Sequence, residues 1–223
     1  MELSLTEEDY LKTIYQLAEL NQFSDGVGTN DIAQKIRISA ASVTDMLRKL
    51  SQKAFINYIK YQGVTLTEAG KQHAIYVIRK HRLWETFLVQ KLNFRWDEVH
   101  EVAEQLEHIQ SALLINRLDE FLEFPAFDPH GEPIPNEQGE FTHQKRIPLK
   151  DAPIGEHIRV IGVEQDSTSF LQFLNKIKVN INTILRILER NDYDSSLEIE
   201  IEGQKTVMIS REVSENIYIK LKN

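Results

Sequence analysis

Residues 29–55, TNDIAQKIRISAASVTDMLRKLSQKAF, decide how the N-terminal third of this chain folds. TNDIAQKIRI reads as a short helix, and SAASVTDMLRKLSQKAF as a second one opened by a Ser39 cap. The link between them is only a few residues long. Ile32, Ala33, Ile36, Val43, Met46, Leu47 and Leu50 fall where two such helices pack, which is helix-turn-helix spacing. INYIKYQGVTLT (56–67) adds two β-prone runs around Gln62-Gly63, a hairpin or wing. A helix-turn-helix followed by a hairpin is a winged helix, whose second helix enters the major groove of DNA. Ser39, Ala41, Ser42, Thr44 and Asp45 stand at the N-terminal end of that helix, where base edges are reached. Arg48, Lys49, Lys53 and Lys60 suit phosphates, which position a protein without specifying sequence. Asp45 fits least, because it repels phosphate. A winged helix used for protein contacts is the alternative reading of the same residues.

The formal net charge of −8 argues against nucleic acid until its distribution is considered. Residues 29–62 carry six Lys or Arg against Asp31 and Asp45. Residues 97–140 carry twelve Asp or Glu against Arg117 alone. The net value averages two different surfaces.

Upstream, residues 6–20 read as an amphipathic helix with Thr6 as N-cap and Glu7, Glu8 and Asp9 in its first turn. Downstream, Thr67 caps a long helix running to about Leu92, Asp97 to about Ile109 forms another, and LLINRLDEFLEF a third. Residues 125–150, rich in Pro, Gly and charge, read as a surface linker. Beyond them HIRVIGV, LEIEIEG, KTVMIS and NIYIKL are β-type runs, with FLQFLNKIK as one short helix among them. The expected fold is mostly α with a β C-terminal domain. A winged helix-turn-helix spans 1–67, a helical domain 68–124, a linker 125–150 and a small SH3-like barrel 151–223.

HEVAEQLEH (100–108) places His100, Glu104, Glu107 and His108 within a sector roughly 100° wide, where a helix usually shows apolar residues to a core. A solvated charged face is the plain reading. Against it, the preceding helix carries His81 and Glu85 at i, i+4, where two ligands can meet one ion, and the first helix offers Asp9. There is no cysteine, so any metal would be held by nitrogen and oxygen. No apolar run approaches the roughly 20 residues that span a bilayer. The acidic start, MELSLTEEDY, does not read as a signal peptide, which leaves the cytoplasm as the expected location and no membrane partner.

DYLKTIY, the winged helix, VIRKHRLWE and VHEVAEQLEH, in that order, resemble the diphtheria-toxin-repressor family of metal-dependent transcriptional regulators over about the first 124 residues. The tail is similar to that family's C-terminal SH3-like domain. The resemblance implies a homodimer that binds palindromic operator DNA when divalent metal is bound, a regulator of metal-homeostasis genes and not an enzyme. It implies a primary site of Asp9, Glu104, Glu107 and His108, and an ancillary site of His81, Glu85, His100 and Asp166. Iron-responsive members carry a methionine and a cysteine at the positions of Asp9 and Glu104. Carboxylates at both resemble the manganese-responsive branch, and hard oxygen ligands suit Mn²⁺. Fe²⁺ remains an alternative at such a site, and Zn²⁺ or Co²⁺ could substitute. The short manganese regulators differ in carrying a glutamate where this chain has Lys12. Two rivals belong to other classes. A carboxylate-bridged di-metal enzyme would need paired Glu-x-x-His motifs, which this chain lacks. A winged-helix regulator answering an organic ligand would leave the acidic stripe as mere surface, whereas the metal reading expects no small organic substrate.

Overall fold

The computed structural model describes residues 3–22, 26–59, 63–202 and 205–221. Helix α1 (Leu5–Leu20) is capped by Ser4 rather than Thr6. Ser4 Oγ accepts from the Glu7 N–H and the Glu7 carboxylate accepts from the Ser4 N–H at 2.8 Å, a capping box that satisfies two helix-end donors reciprocally. A Thr6 cap would put the shorter Asp9 in the reciprocal position, so the box one turn earlier wins.

Helices α2 (Thr29–Ile36) and α3 (Ala40–Gln52) are joined through Arg37, which adopts the left-handed conformation at φ 61°. Ser39 caps α3 as expected, accepting from the Ser42 N–H at 3.2 Å. Ile32, Val43, Leu47 and Leu50 are fully buried and hold the two helices together. Loss of this cap in Ser39→Ala is expected to cost about 1 kcal/mol, read as a few degrees in a thermal melt followed by circular dichroism. Strands β1 (Ile56–Ile59) and β2 (Gly63–Leu66) pair antiparallel with Ile56 opposite Leu66, and Val27 bridges Val64 as a third short segment of the wing. Lys60 and Gln62 lie outside the described residues.

Helix α4 (Glu68–Leu92) starts at the Thr67 cap, whose Oγ1 accepts from the Gly70 N–H and donates to the Ala54 carbonyl. Gly70 lets α4 lie directly on the base of the wing, since a Cβ there would stand 2.0 Å from the Phe55 carbonyl oxygen. Helix α5 covers only His100–Leu106, against the expected Asp97–Ile109. Residues 95–98 form a turn closed by Glu98 N–H to the Arg95 carbonyl, and Glu107 and His108 lie in the turn that ends the helix. Helix α6 (Ala112–Phe121) follows.

The chain forms two compact units. The first comprises residues 1–81, 104–116 and 135–140, the second 82–103, 117–134 and 141–223, so α4, α5 and α6 each contribute to both. In the second unit β3 (Ile147–Pro148), β4 (His157–Val163), β5 (Ile184–Arg190), β6 (Leu197–Ile201), β7 (Lys205–Ile209) and β8 (Ile217–Leu221) make one antiparallel sheet in the order β3-β8-β4-β5-β6-β7. Register shifts at Val160/Gly162 and Ile187/Glu189 interrupt its ladders. Helix α7 (Thr168–Ile177) buries Leu171, Leu174 and Ile177 in the core of this unit with Trp96, Val160, Ile187, Ile199 and Ile219, and the short α8 (Arg211–Glu215) precedes β8. β5, ILRILER, was missed in the sequence because its apolar residues come in pairs rather than alternating.

The stretch read as a surface linker holds a docked turn. Asp128, His130 and Ile134 are buried. Asp128 Oδ1 accepts from the N–H groups of His130 (2.8 Å) and Glu132 (3.0 Å), and the His130 carbonyl accepts from Val163 of β4 at 3.0 Å. Composition mistook the turn residues of a packed loop for solvated chain.

Candidate metal centre

In the first unit, α1 and the turn after α5 bring Asp9, Glu107 and His108 together, with one donor atom of each within 4.8 Å of the others. His108 Nε2 lies 3.1 Å from Asp9 Oδ1, and its Nδ1 lies 2.9 Å from Glu8 Oε2. Two carboxylates and an imidazole, with no sulfur, form a hard nitrogen and oxygen donor set of the kind that first-row divalent ions accept. Burial pushes the Asp9 carboxyl above its ordinary range; His108 opposes the shift and Glu107 and Glu104 reinforce it. Burial acts the same way on Glu107, but the hydrogen bond from His81 and the Lys12 ammonium outweigh it and hold that carboxyl low. Glu104, the fourth expected ligand, is exposed on α5 and outside the group of three, although its charge reaches Asp9.

Sequence reasoning gave Lys12 no place in the site. Its Nζ donates to both oxygens of Glu107, at 2.9 and 2.7 Å, and lies 3.3 Å from His81 Nδ1. His81, expected in the ancillary group, itself pairs with Glu107 through Nδ1. The available signal was weak: Lys12 falls three residues after Asp9, one helical turn along the same face.

In the second unit, Glu85 is the hub. One oxygen lies 3.5 Å from His100 Nδ1 and the other 3.5 Å from His130 Nδ1. Asp166, in the loop after β4, approaches His100 Nδ1 at 3.8 Å. His81 stands one turn before Glu85 on α4. His130 was not foreseen. Its Nε2 faces the Trp96 carbonyl at 2.8 Å, which requires a proton on that nitrogen and turns Nδ1 toward Glu85. Burial alone would lower the His130 pKa, but Glu85 and Asp128 more than reverse this and raise it to about 9.

On α3, Ser39, Ala41, Ser42, Asp45, Arg48 and Lys49 are exposed and Thr44 half-buried, donating its hydroxyl to the Ala40 carbonyl. Asp45 pairs with Arg48 at 3.1 Å in an exposed contact three residues apart on the same helix. Lys53 is turned to Glu7 at 2.7 Å, so the end of α3 is tied to the start of α1.

The same three segments match known families. Residues 2–64 match the iron dependent repressor N-terminal DNA binding domain, 67–136 the iron dependent repressor metal binding and dimerisation domain, and 147–221 the FeoA domain. The iron-dependent repressor IdeR of Mycobacterium leprae is 31% identical over 165 residues, covering 70% of each chain. Among solved structures, a manganese-dependent transcriptional repressor in complex with manganese superposes with a TM-score of 0.83 at 32% identity, covering 97% of this chain and 100% of that one. The manganese regulator SloR gives 0.75 at 34% identity, with 97% and 98% covered. A winged helix, a hard-donor cluster and these matches along the chain agree: it belongs to the iron-dependent repressor family, the diphtheria-toxin-repressor family of metal-dependent transcriptional regulators.

Proposed function

We propose that this protein is a cytoplasmic, homodimeric repressor of metal-homeostasis genes that binds operator DNA in response to Mn²⁺. The observation that carries the reading is the sulfur-free set of Asp9, Glu107 and His108, assembled from α1 and the end of α5. Glu104 completes the primary site from its exposed position, beside which His81 pairs with Glu107, and Glu85, His100 and Asp166 form the ancillary one. When bound, a divalent cation supplies the positive charge that offsets repulsion among Asp9, Glu104 and Glu107.

Asp9 would hold α1 to the turn after α5. Because α1 is also tied to α3 through Glu7 and Lys53, fixing α1 fixes the reading helix. A dimer reads half-sites one helical turn apart or a multiple of it, so heads held in place bind without a further ordering cost. Arg48 and Lys49 would meet phosphates, and the exposed Ser39, Ala41 and Ser42 would let α3 approach base edges. No membrane and no organic effector enter this scheme.

The test is an anaerobic titration of DNA binding with Mn²⁺, Fe²⁺ and Zn²⁺. Stimulation by Mn²⁺ at or below the free concentration needed for Fe²⁺ is expected. Activation by Fe²⁺ at much lower free concentration would favour the second reading, an iron-responsive repressor of iron-uptake genes, which the name of the Mycobacterium leprae relative supports. Binding that ignores every metal and is relieved by an organic compound would overturn both.

A further inference from the structure

His108 is gripped from both sides by neighbouring residues of α1, and the two carboxylates are not equivalent. Asp9 is half exposed on the Nε2 side, whereas the Glu8 side chain on the Nδ1 side is 6% exposed. Both Glu8 oxygens are engaged: Oε2 with His108 and Oε1 with the Gln110 amide at 2.6 Å. Behind Glu8 lies Lys80, whose side chain has no solvent exposure and whose Nζ stands 3.6 Å from Glu8 Oε2 and 5.2 Å from the centre of the Tyr76 ring. Lys80 Nζ has no hydrogen-bond partner among the described residues. A buried ammonium is costly unless a charge answers it; burial pulls the Lys80 pKa down, and Glu8, followed by Glu107, opposes the shift.

We propose that Glu8 is a positioning residue for the metal: its carboxylate accepts the Nδ1–H of His108, leaving the Nε2 lone pair aimed at the ion, with Lys80 as the buried counter-charge that keeps Glu8 in place. The inference rests on the reading of Asp9, Glu107 and His108 as ligands. A histidine can bind metal through only the nitrogen that lacks a proton, so a fixed acceptor on the other nitrogen selects the tautomer. A carboxylate in that role also makes the imidazole a stronger donor than a carbonyl would. Glu8 faces the Nδ1 side of His108 while Asp9 faces the Nε2 side, so Glu8 acts through His108 rather than as a ligand.

The experiment measures Mn²⁺ affinity by the electron paramagnetic resonance signal of free Mn²⁺, in a His100→Ala background so that one class of site titrates. Glu8→Gln removes the charge but keeps the shape, and 10- to 100-fold weaker binding is expected. Because Glu8→Gln strands Lys80, the double variant Glu8→Gln/Lys80→Met is measured beside it. The double variant is expected to regain thermal stability and to bind Mn²⁺ as weakly as the single one. Parent-like affinity in either variant would overturn the role of Glu8, restoration in the double showing that the stranded lysine caused the loss. His108→Ala is the separate check on the ligand reading. If that variant binds like the parent while Glu8→Gln is weakened, the ligand reading fails, and the role of Glu8 with it.

Discussion

A His108→Ala protein is expected to keep its fold and lose the metal response of its DNA binding. With Mn²⁺ saturating the parent, operator affinity of the variant should stay at its metal-free level, a deficit of up to about 100-fold for a coupling of ordinary size. Reciprocity adds a second reading of the same effect: operator DNA should raise Mn²⁺ affinity in the parent and fail to do so in the variant. Glu107→Ala looks equivalent in the sequence, but the structure separates the two. Glu107 is 1% exposed and answers the Lys12 ammonium, so removing it leaves a buried cation unpaired, at a cost of about 3–5 kcal/mol. The double variant Lys12→Met/Glu107→Ala should recover most of that stability and none of the metal response. Fluorescence anisotropy on operator duplex and a urea melt measure the two quantities independently. A parent-like response to Mn²⁺ in both His108→Ala and the Lys12→Met/Glu107→Ala double variant would show the site to be wrongly drawn.

What could be read from the sequence was whatever repeats locally. The α2–α3 spacing, the Ser39 and Thr67 caps and the β-type runs of the C-terminal region are patterns of a few residues, and each stands where it was expected. The Ser4 box is hidden in the sequence because Thr6 offers the same chemistry two residues later, and only the reciprocal bond to Glu7 separates them. The donor types were legible, but the helical stripe was not their true frame. Glu107 and His108 leave α5 into a turn, and that departure lets His108 reach both Glu8 and Asp9. Lys12 and His130 were invisible for a different reason. Their roles depend on partners 95 residues away for Lys12 and, through Trp96, 34 residues away for His130, and no local periodicity encodes such pairs.

The second large effect is expected at Gly131, in the turn that composition mistook for linker. Gly131 has φ +81°, and a Cβ there would lie 2.1 Å from the Ile161 carbonyl oxygen and 2.5 Å from Gly162 Cα. Both obstacles are backbone of β4, so no side chain can swing aside. Gly131→Ala therefore adds a steric clash to the ordinary left-handed penalty, and a loss of more than about 3 kcal/mol follows, or undocking of the turn. Gly155 isolates the backbone part. Its φ is +86° and a Cβ there would meet nothing within 4 Å, so Gly155→Ala should cost only about 1–2 kcal/mol. The difference between the two variants in a urea melt measures what docking the turn contributes. Hydrogen exchange locates it, because the Val163 N–H donates to the His130 carbonyl and should lose protection in Gly131→Ala alone. Undocking would also withdraw His130 from Glu85, one of the proposed ancillary ligands. Equal melts for Gly131→Ala and Gly155→Ala would mean that the turn is held too loosely to position anything.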